Sequence, residues 1–398
     1  MKTRSAALPL VLAFIATLPG IAVSLSGVHL APSVAAMAFG AAVLGAAFLL
    51  AWTTEAIQHD LSQAFALSIL ALIAILPEYA VDVSFAYRAA TDRTYEAYAV
   101  ANMTGANRLL IGIAWPLVVL LFFLARRRQG VTLAQASNRP GLICLGAATL
   151  YGLTIPLRGA IALYDAVVLI GIFLVYIALA ARAPSEEPSL IGPAALIGGL
   201  PKAKRRLVVA ALMCWALIAV LLVAEKFGEA LVETGTSLGI DEFLLVQWLA
   251  PLASEAPEFV IVALWTWRGE ARMALGALVS STVNQWTLLI SSLPIAYSVG
   301  SRAFRALPMD ARQTEEVFLT AALSALALTF VLNMHLSLWE AGGLVVVFVL
   351  AFIAPALHVP LGIACCAFAV VRLVVWLVTG REVVRDAAQA DSQPILTT

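Results

Sequence analysis

Apolar runs of membrane-spanning length follow one another along the whole chain, separated by short polar breaks. A helix needs about 20 mostly apolar residues to cross a bilayer, and the runs lack the alternating strand pattern of outer-membrane barrels. The pattern therefore predicts an all-α integral membrane protein with about twelve transmembrane helices. The predicted spans are 8–27, 33–55, 61–87, 97–124, 142–157, 165–182, 207–233, 242–267, 270–297, 316–334, 338–356 and 359–379.

Composition agrees with a protein whose main partner is the lipid bilayer. Hydrophobic residues make up 62% of the chain and charged residues 12%, against about 25% charged residues in a typical soluble domain. The net charge is zero, which gives no indication of nucleic-acid binding. The HExxH and P-loop motifs are absent from the sequence, so an ion transporter is favoured over an enzyme. The cysteines lie in apolar runs without metal-type spacing and are predicted to be buried thiols: Cys144, Cys214, Cys365 and Cys366.

The charges in the polar breaks predict the orientation of the chain. Fifteen Lys and Arg residues fall on the side of the N-terminus and seven on the opposite side, and basic loops favour the cytoplasm. Both termini are therefore predicted to be cytoplasmic, in the plasma (inner) membrane. The first span follows basic residues as a signal peptide would, but the many spans behind it favour an uncleaved helix.

The two halves of the chain carry the same order of features. In each half the second span contains Pro-Glu, the third contains a cluster of small residues and Asn, and the fifth begins beside an acidic residue, Asp165 or Glu340. Five spans per half invert the second half in the membrane, and inverted repeats with a site at their interface are typical of secondary transporters. The predicted units are an extra helix at 1–32, repeats at 33–182 and 207–356, a cytoplasmic linker at 183–206, and a last helix with a cytoplasmic tail at 357–398.

The two Pro-Glu pairs are the strongest candidates for chemistry. Pro77 and Pro257 are predicted to break their helices, because proline removes a backbone hydrogen bond and frees carbonyl oxygens. Glu78 and Glu258 place charge at the same depth, at an insertion cost of roughly 3 kcal/mol each. Carboxylate and carbonyl oxygens suit Ca²⁺, which takes about 6–8 of them. We predict that Glu78 and Glu258 are the metal ligands of a cation site.

Two further acids lie close to these pairs in sequence. Asp82 comes four residues after Glu78, and Glu255 comes three residues before Glu258, so each shares a helix face with its neighbour. Like charges in a low dielectric favour protonation of one member, which makes Asp82 and Glu255 candidate proton carriers or auxiliary ligands. For Asp82 the alternative is a solvated acid near the helix end, paired with Arg88.

Polar side chains in the third spans are predicted to line the same site. The segments "ANMTGANRLLIG" and "ALVSSTVNQWTLL" supply Asn107 and Asn284 as cation-binding residues, with Ser281 and Gln285 as possible coupling-ion or proton sites. Close helix packing is the alternative role for such residues. Arg108, in the middle of a span, is predicted to compensate a nearby carboxylate.

Four glutamates on the spans that enter each repeat have a plainer interpretation. They are Glu55 in the first repeat and Glu225, Glu229 and Glu233 in the second. Solvated helix ends explain them most simply. Attraction of cations to an outer vestibule is the alternative.

These motifs resemble those of the calcium/cation antiporter superfamily over residues 33–356. "LASEAPEF" is similar to the Gly-Thr-Ser-x-Pro-Glu motif of its sodium/calcium exchanger branch, and it retains Ser254 as well as the Pro-Glu pair. "IAILPEY" keeps the Pro-Glu pair but has Ala74 and Ile75 in place of hydroxyl residues, and "TGAN" has Ala106 in place of serine. The segment "SSTVNQWTLLISSLP" resembles a Ser-rich Gln motif of the cation/proton exchanger branch.

The resemblance implies a function and a site. It implies that the two Pro-Glu glutamates ligate Ca²⁺ and that Ser254 contributes to cation binding, while the lost hydroxyls weaken the case for Na⁺. The predicted protein is a secondary antiporter that exchanges Ca²⁺ for Na⁺ or H⁺ by alternating access, with transported ions and no cofactor. Alternatives are a transporter of Mg²⁺ or K⁺, a Na⁺/H⁺ exchanger, or a cation channel.

Overall fold

Helices form nearly all of the regular structure. The computed structural model describes residues 2–183, 190–239, 252 and 255–391. The first half contains α1 (Lys2–Ser26), α2 (Pro32–Ile57), α3 (Gln63–Ala74), α4 (Leu76–Ala89), α5 (Thr94–Leu109), a π-helical turn (Leu110–Ala114), α6 (Trp115–Arg126), β1 (Gly130–Thr132), α7 (Gln135–Gly152), a 3-10 turn (Pro156–Arg158), β2 (Ala160–Ile161) and α8 (Leu163–Ala181).

The second half repeats much of this order. It contains α9 (Gly192–Gly198), α10 (Lys202–Ser237), α11 (Ala256–Arg268), α12 (Ala271–Asn284), a π-helical turn (Gln285–Leu289), α13 (Ile290–Ser301), β3 (Leu307–Pro308), α14 (Ala311–Phe330), β4 (His335–Ser337), α15 (Leu338–Ile353), a 3-10 turn (Pro355–Leu357) and α16 (His358–Asp391).

The prediction of an all-helical membrane protein is confirmed. In the part of the chain that the structure describes, eight helices are long and apolar enough to cross a bilayer, and two apolar helices are shorter. The first part of the predicted span 242–267 lies outside the described residues. The eight long segments are Ala7–Ser26, Pro32–Ile57, Tyr98–Arg126, Ser137–Arg158, Leu163–Ala181, Lys202–Ser237, Ala271–Ser301 and Pro355–Val378, and the shorter ones are Gln63–Ile73 and Leu338–Ile353.

One predicted helix boundary and one predicted burial are wrong. The span predicted from residue 142 begins at Gln135, because its polar first turns face protein: Ser137 and Asn138 are both buried. Cys214 is exposed on the surface of α10, whereas Cys144 and Cys365 are buried as predicted. Apolar sequence alone does not distinguish a lipid-facing surface from a protein-facing one.

Burial differs widely among the helices. In an apolar 18-residue window of Ala271–Ser301, 94% of the residues are buried, against 17% in the corresponding window of Pro355–Val378. Helices α1 and α10 pack along α2, and α9 joins them, so that these four form one bundle, named the peripheral bundle. Helices α3, α4, α5, α7 and α11 to α14 pack around the buried centre.

Two short antiparallel strand pairs join the halves. Strand β1, after α6, pairs with β4, before α15, with Val131 opposite Leu336. Strand β2, before α8, pairs with β3, after α13, with Ile161 opposite Leu307. The sequence did not predict these strands, because two or three residues are too few for a recognisable alternation.

The acidic residues predicted at the start of the fifth spans act as helix caps. Asp165 accepts a hydrogen bond from Ala162 N at 2.6 Å and pairs with Arg158. Glu340 accepts one from Ser337 N at 2.9 Å and pairs with Arg372 at 2.6 Å. Both carboxylates satisfy backbone donors at a helix N-terminus, so capping explains them fully.

Candidate cation site

The site is built on two helices that each have a proline in the first turn. The second span of the first half is broken at Ile75, so that α3 ends and α4 begins there, with Pro77 in the first turn of α4. In the second half α11 begins after Glu255, again with proline, Pro257, in its first turn. Proline is tolerated in a first turn because its missing N–H would have no partner there. Glu78 and Glu258 thus lie in first turns, where the helix dipole stabilises a carboxylate.

Backbone oxygen near Pro77 is partly satisfied. The Ile73 oxygen, which would accept a hydrogen bond from residue 77 in a continuous helix, accepts one from Ile75 N. The Ile75 oxygen accepts one from Tyr79 N at 3.1 Å. These two carbonyl oxygens thus each accept one backbone hydrogen bond despite the break.

Gln285 joins acids from both halves of the chain. Its amide nitrogen Nε2 donates to Glu255 Oε1 at 2.8 Å and to Glu78 Oε2 at 3.1 Å. All three side chains are buried. The first turn of α4, the residue before α11 and the π-helical turn after α12 therefore converge on one point. A π-helical turn inserts an extra residue into a helix and often occurs at functional sites.

Ser281 supports the second Pro-Glu glutamate. Its hydroxyl donates to Glu258 Oε1 at 2.8 Å, and both side chains are buried. Ser254, which was predicted to bind the cation, lies outside the described residues. The hydroxyl group that contacts Glu258 therefore comes from α12, and Ser281 lies one turn before Gln285.

Asp82 is fully buried and contacts an amide. Its Oδ1 accepts from Asn102 Nδ2 at 2.9 Å, and its exposed fraction is 0%. The alternative of a solvated acid paired with Arg88 is wrong, since Arg88 is exposed and its guanidinium lies 5.6 Å from the Tyr95 ring centre. A carboxyl group buried with a single amide donor is costly in a structural role.

Six buried side-chain oxygens of the site have no hydrogen-bond partner among the described residues. Such atoms are rare in folded proteins, because a buried polar atom without a partner is costly. Asn284 makes no side-chain hydrogen bond at all in this part of the chain, and Asn107 uses only its nitrogen, which donates to Met103 O at 3.0 Å. The six oxygens are Glu78 Oε1, Asp82 Oδ2, Asn107 Oδ1, Glu258 Oε2, Asn284 Oδ1 and Gln285 Oε1.

The acids of the site have no basic partner within the described ranges. No Lys, Arg or His nitrogen there lies within 4.0 Å of Glu78, Asp82, Glu255 or Glu258. Burial of an ionised carboxylate without a partner costs several kcal/mol or more. These four acids must therefore carry protons, bind a cation, or do both in turn.

In the part of the chain that the structure describes, the arrangement is not a preformed metal site made only of acidic, histidine or cysteine ligands. No three acidic, histidine or cysteine side chains of the described residues converge at metal-ligand distances. Ca²⁺ accepts amide and carbonyl oxygens beside carboxylates and tolerates irregular geometry. The free amide oxygens of Asn107, Asn284 and Gln285 are suited to complete such a set.

A small pocket borders the site. Glu258 and Ser281 are part of its lining, and the remaining lining is apolar. The lining comes from α3, α11 and α12 and comprises Leu70, Ala71, Ile261, Val262, Ala277 and Leu278.

Three other predictions fall outside the site. Arg108 points towards a carboxylate, as predicted: its Nη2 lies 4.0 Å from Glu316 Oε2. Glu55 is not solvated but buried, with Trp265 Nε1 at 2.8 Å and Arg268 Nη1 at 2.8 Å. The three glutamates of α10 are exposed, in agreement with the interpretation as a solvated helix surface: Glu225, Glu229 and Glu233.

The site also contains contacts that sequence reasoning missed. Asn102 was noted only as part of a small-residue cluster, and Tyr79, whose hydroxyl donates to Asn284 O at 3.4 Å, was not considered. A polar residue five positions before Asn107 and a tyrosine directly after Glu78 were the only available signals. Their partners come from other helices, so local spacing could not identify them.

Comparison with known proteins identifies the family. The family model described as sodium/calcium exchanger protein matches residues 31–182 and 208–355. The crystal structure of the H⁺/Ca²⁺ exchanger CAX is 37% identical, covers 98% of both chains and has a TM-score of 0.84. The sodium-calcium exchanger NCX_Mj soaked with 100 mM Na⁺ and 10 mM Sr²⁺ is 16% identical, covers 88% of this chain and 99% of its own, and has a TM-score of 0.59. A sequence comparison with curated proteins gave no significant match.

The chain belongs to the sodium/calcium exchanger family, within the calcium/cation antiporter superfamily. NCX_Mj, at its low identity, shares the fold. Exchangers are secondary transporters, and the chain is accordingly a multi-pass membrane antiporter of Ca²⁺ with Na⁺ or H⁺ as the counter-ion.

Proposed function

We propose that this protein is a Ca²⁺/H⁺ antiporter in which one buried carboxyl cluster binds Ca²⁺ and protons in alternation. Glu78 and Glu258 act as the Ca²⁺ ligands, with oxygens from Asn107, Asn284 and Ser254 completing the set. Glu255 carries protons, and Gln285 and Ser281 orient the acids.

The observation that carries this proposal is the unpaired charge of the site. Glu78, Glu255 and Glu258 are buried. Gln285 donates to the first two and Ser281 to the third, while basic side chains are absent around them in the described ranges. Two of them ionised would hold one divalent ion. The same groups protonated would be neutral, so each loaded form can cross the membrane field at low cost.

Glu255 favours protons over Na⁺ as the counter-ion. Sodium-coupled relatives carry a hydroxyl in the position that Glu255 occupies, and this chain also lacks hydroxyls at Ala74, Ile75 and Ala106. Hydroxyl and carbonyl oxygens coordinate Na⁺, whereas a carboxyl group takes up a proton. The 37% identity to the H⁺/Ca²⁺ exchanger CAX over nearly the whole chain supports the same assignment.

Twelve spans in two inverted repeats give the proposal its architecture. The strand pairs support this: β1 follows the third span of one half and pairs with β4, before the fifth span of the other, and β3 and β2 have the reciprocal relation. The family match in two segments, 31–182 and 208–355, also supports it. The repeats would be 33–182 and 207–356, with the extra helices 1–32 and 357–398 outside them and 183–206 as linker.

Transport would proceed by movement of the entering helices. Helices α2 and α10 belong to the peripheral bundle and pack against the core that holds the site. Sliding of this bundle would expose the cluster first to one side and then to the other, as in other inverted-repeat transporters. Both termini are proposed to lie in the cytoplasm, with the protein in the plasma (inner) membrane.

Transport by the purified protein in sealed proteoliposomes tests the proposal. Vesicles acidic inside, free of Na⁺ and with the membrane potential clamped by K⁺ and valinomycin, should accumulate ⁴⁵Ca²⁺ and lose protons in parallel. A collapse of the pH gradient by nigericin should stop uptake. Uptake that requires an outward Na⁺ gradient instead would assign Na⁺ as the counter-ion, and Ca²⁺ flux that is independent of both gradients would contradict antiport.

A further inference from the structure

The carboxyl group of Asp82 lies beside the cation site but outside its bridged cluster. Asp82 is on α4, four residues after Glu78, and therefore one helical turn further from the point where Gln285 joins the acids. It is fully buried, and its only hydrogen bond among the described residues comes from Asn102. Its second oxygen, Oδ2, has no partner there.

Charged groups on the neighbouring helices are engaged elsewhere. Arg108 of α5 lies near Glu316, and Lys226 of α10 donates to Ser24 O at 2.7 Å. Tyr297 of α13 is buried but makes no hydrogen bond to Asp82, and α3 has no titratable residue. The other titratable side chains of these helices are Tyr95, Glu96 and Tyr98 on α5 and Lys202, Lys204, Arg205, Arg206, Cys214, Glu225, Glu229 and Glu233 on α10.

The second half has no equivalent acid. Four residues after Glu258 comes Val262, which is buried and lines the apolar pocket beside that glutamate. The two halves therefore differ in chemistry one turn from each Pro-Glu glutamate: a carboxyl group on the α4 side and an aliphatic side chain on the α11 side. A hydrated Ca²⁺ ion could pass either side chain without binding to it. A proton that passes on the α4 side needs a titratable group to hold it, and Asp82 is such a group.

We propose that Asp82 is a proton relay on the α4 side of the site, held in place by Asn102, which passes protons to and from Glu78 without binding Ca²⁺. In the step that brings a proton to the cation site, the O–H bond of protonated Asp82 breaks as an O–H bond forms on the Glu78 carboxylate through an intervening water. Asp82 is left as a carboxylate and takes a new proton from the aqueous side. The reverse sequence releases protons, and no other reactant is consumed. The role rests on the proposed Ca²⁺/H⁺ exchange.

Two transport modes of the reconstituted full-length protein separate this role from Ca²⁺ binding. Isotopic ⁴⁵Ca²⁺/Ca²⁺ exchange at equal pH needs the site to reorient with Ca²⁺ bound but needs no proton. Exchange driven by a pH gradient needs both ions. We expect Asp82→Asn and Asp82→Val to slow pH-driven uptake by about 100-fold or more, the usual scale for loss of a proton-transfer group, and to leave Ca²⁺/Ca²⁺ exchange within about twofold.

Conservative and neighbouring variants complete the test. Asp82→Glu should retain pH-driven uptake, because it keeps a carboxyl group, and Ser84→Ala, on the same helix, should match the wild type in both modes. Asn102→Leu should alter the pH dependence of driven uptake while sparing Ca²⁺/Ca²⁺ exchange, which keeps the proposal testable if the Asp82 variants do not fold.

Each outcome decides the question. Wild-type rates of pH-driven uptake in Asp82→Asn would overturn the relay. Equal loss of both modes in a folded Asp82→Asn protein would also overturn it, because Asp82 would then belong to the Ca²⁺ site. Failure of the proposed function is distinct from both, since the wild type itself would then show no pH-driven uptake.

Discussion

At the scale of single residues, the site is a set of acids whose geometry is set by two polar side chains. Gln285 places one amide nitrogen between Glu78 and Glu255, and Ser281 holds one oxygen of Glu258. Each acid other than Glu255 keeps a second oxygen without a partner in the described part of the chain. The contacts therefore fix the carboxyl groups and still leave oxygen available for a ligand.

Removal of the Glu258 charge should abolish Ca²⁺ binding. Loss of an outer-shell partner typically weakens a metal site about 10–100-fold, so loss of a ligand in Glu258→Gln should weaken Ca²⁺ affinity by at least about 100-fold. Titration calorimetry of the purified protein measures this. Glu233→Gln, on the exposed surface of α10, is the matched control and should bind as the wild type does. Unchanged affinity in Glu258→Gln would remove Glu258 from the site.

Removal of the amide bridge should weaken binding without a change of charge. Gln285→Leu deletes the donor that Glu78 and Glu255 share, so the two acids lose their common orientation. We expect the apparent KM for Ca²⁺ to rise about 10–100-fold, measured as initial ⁴⁵Ca²⁺ uptake over a range of Ca²⁺ concentrations. Gln135→Leu, at an exposed position of α7, serves as control. A wild-type KM in Gln285→Leu would show that the bridge has no orienting role.

Sequence could identify the acids of the site but not their partners. Glu78 and Glu258 stood out because an acid beside a proline in an apolar run is expensive. Gln285 contacts Glu78, which lies 207 positions away in the sequence, and Glu255, which lies 30 positions away. Nothing in local spacing encodes these contacts. Glu55 shows the opposite failure: its position at a helix end favoured solvation, while its partners on α11 bury it.

At the scale of helices, Glu55 connects the peripheral bundle to the core. It lies near the end of α2 and accepts hydrogen bonds from Trp265 and from both terminal nitrogens of Arg268, at 2.8 Å and 3.3 Å. Trp265 is fully buried. If α2 slides against α11 during transport, these bonds must break, so the contact belongs to one state of the cycle.

This contact should be detectable as coupling between its two charged residues. In a double-mutant cycle of Glu55→Gln and Arg268→Gln, we expect a coupling energy of about 0.5–3 kcal/mol, the range for residues in contact. Reversible thermal unfolding in detergent measures it. The pair of Asp60 and Arg206, with N···O at 3.5 Å and Arg206 half exposed, is the comparison and should give about 0–1 kcal/mol. Additive effects at Glu55 and Arg268 would contradict a contact between the helices.

At the scale of the whole molecule, one ion pair joins the loop after α2 to the start of α10. Asp60, in the loop between α2 and α3, accepts from Arg205 Nε at 2.8 Å, and the same arginine donates to Gly198 O at 3.0 Å. The hydrogen bond from Arg205 lowers the pKa of Asp60 below its ordinary value of 3.8. Residues from the loop, α9 and the start of α10 are thus held by one ion pair.

The lowered pKa predicts a specific pH dependence of stability. A carboxyl group with a depressed folded-state pKa stabilises the protein above the ordinary pKa and loses this contribution as the pH falls through the folded value. The Tm of Asp60→Asn should therefore be lower than that of the wild type and differ by a constant amount from pH 5 to 8. The difference should shrink below about pH 4. A difference that persists unchanged at pH 3 would show that the ion pair is not its cause.

The overall architecture was more predictable than its details. Apolar runs and their polar breaks indicated the helices. Lipid offers no hydrogen-bond partners to the backbone, whereas a helix pairs its own N–H and C=O groups. The break at Ile75, the π-helical turns and the strand pairs were not predictable at the same level, since each depends on packing between segments far apart in sequence. Among these details, the helix breaks at the Pro-Glu pairs were the most predictable, because proline in an apolar run marks an interruption of a helix.

Proton release on Ca²⁺ binding tests the shared carboxyl site most directly. Calorimetric titration of purified protein with Ca²⁺, without Na⁺ and in buffers of different ionisation enthalpy, measures the number of protons released per ion bound. The account predicts release of protons at pH values where the acids are partly protonated, with release lost together with binding in Glu258→Gln. Tight Ca²⁺ binding with no proton release across the pH range would contradict it.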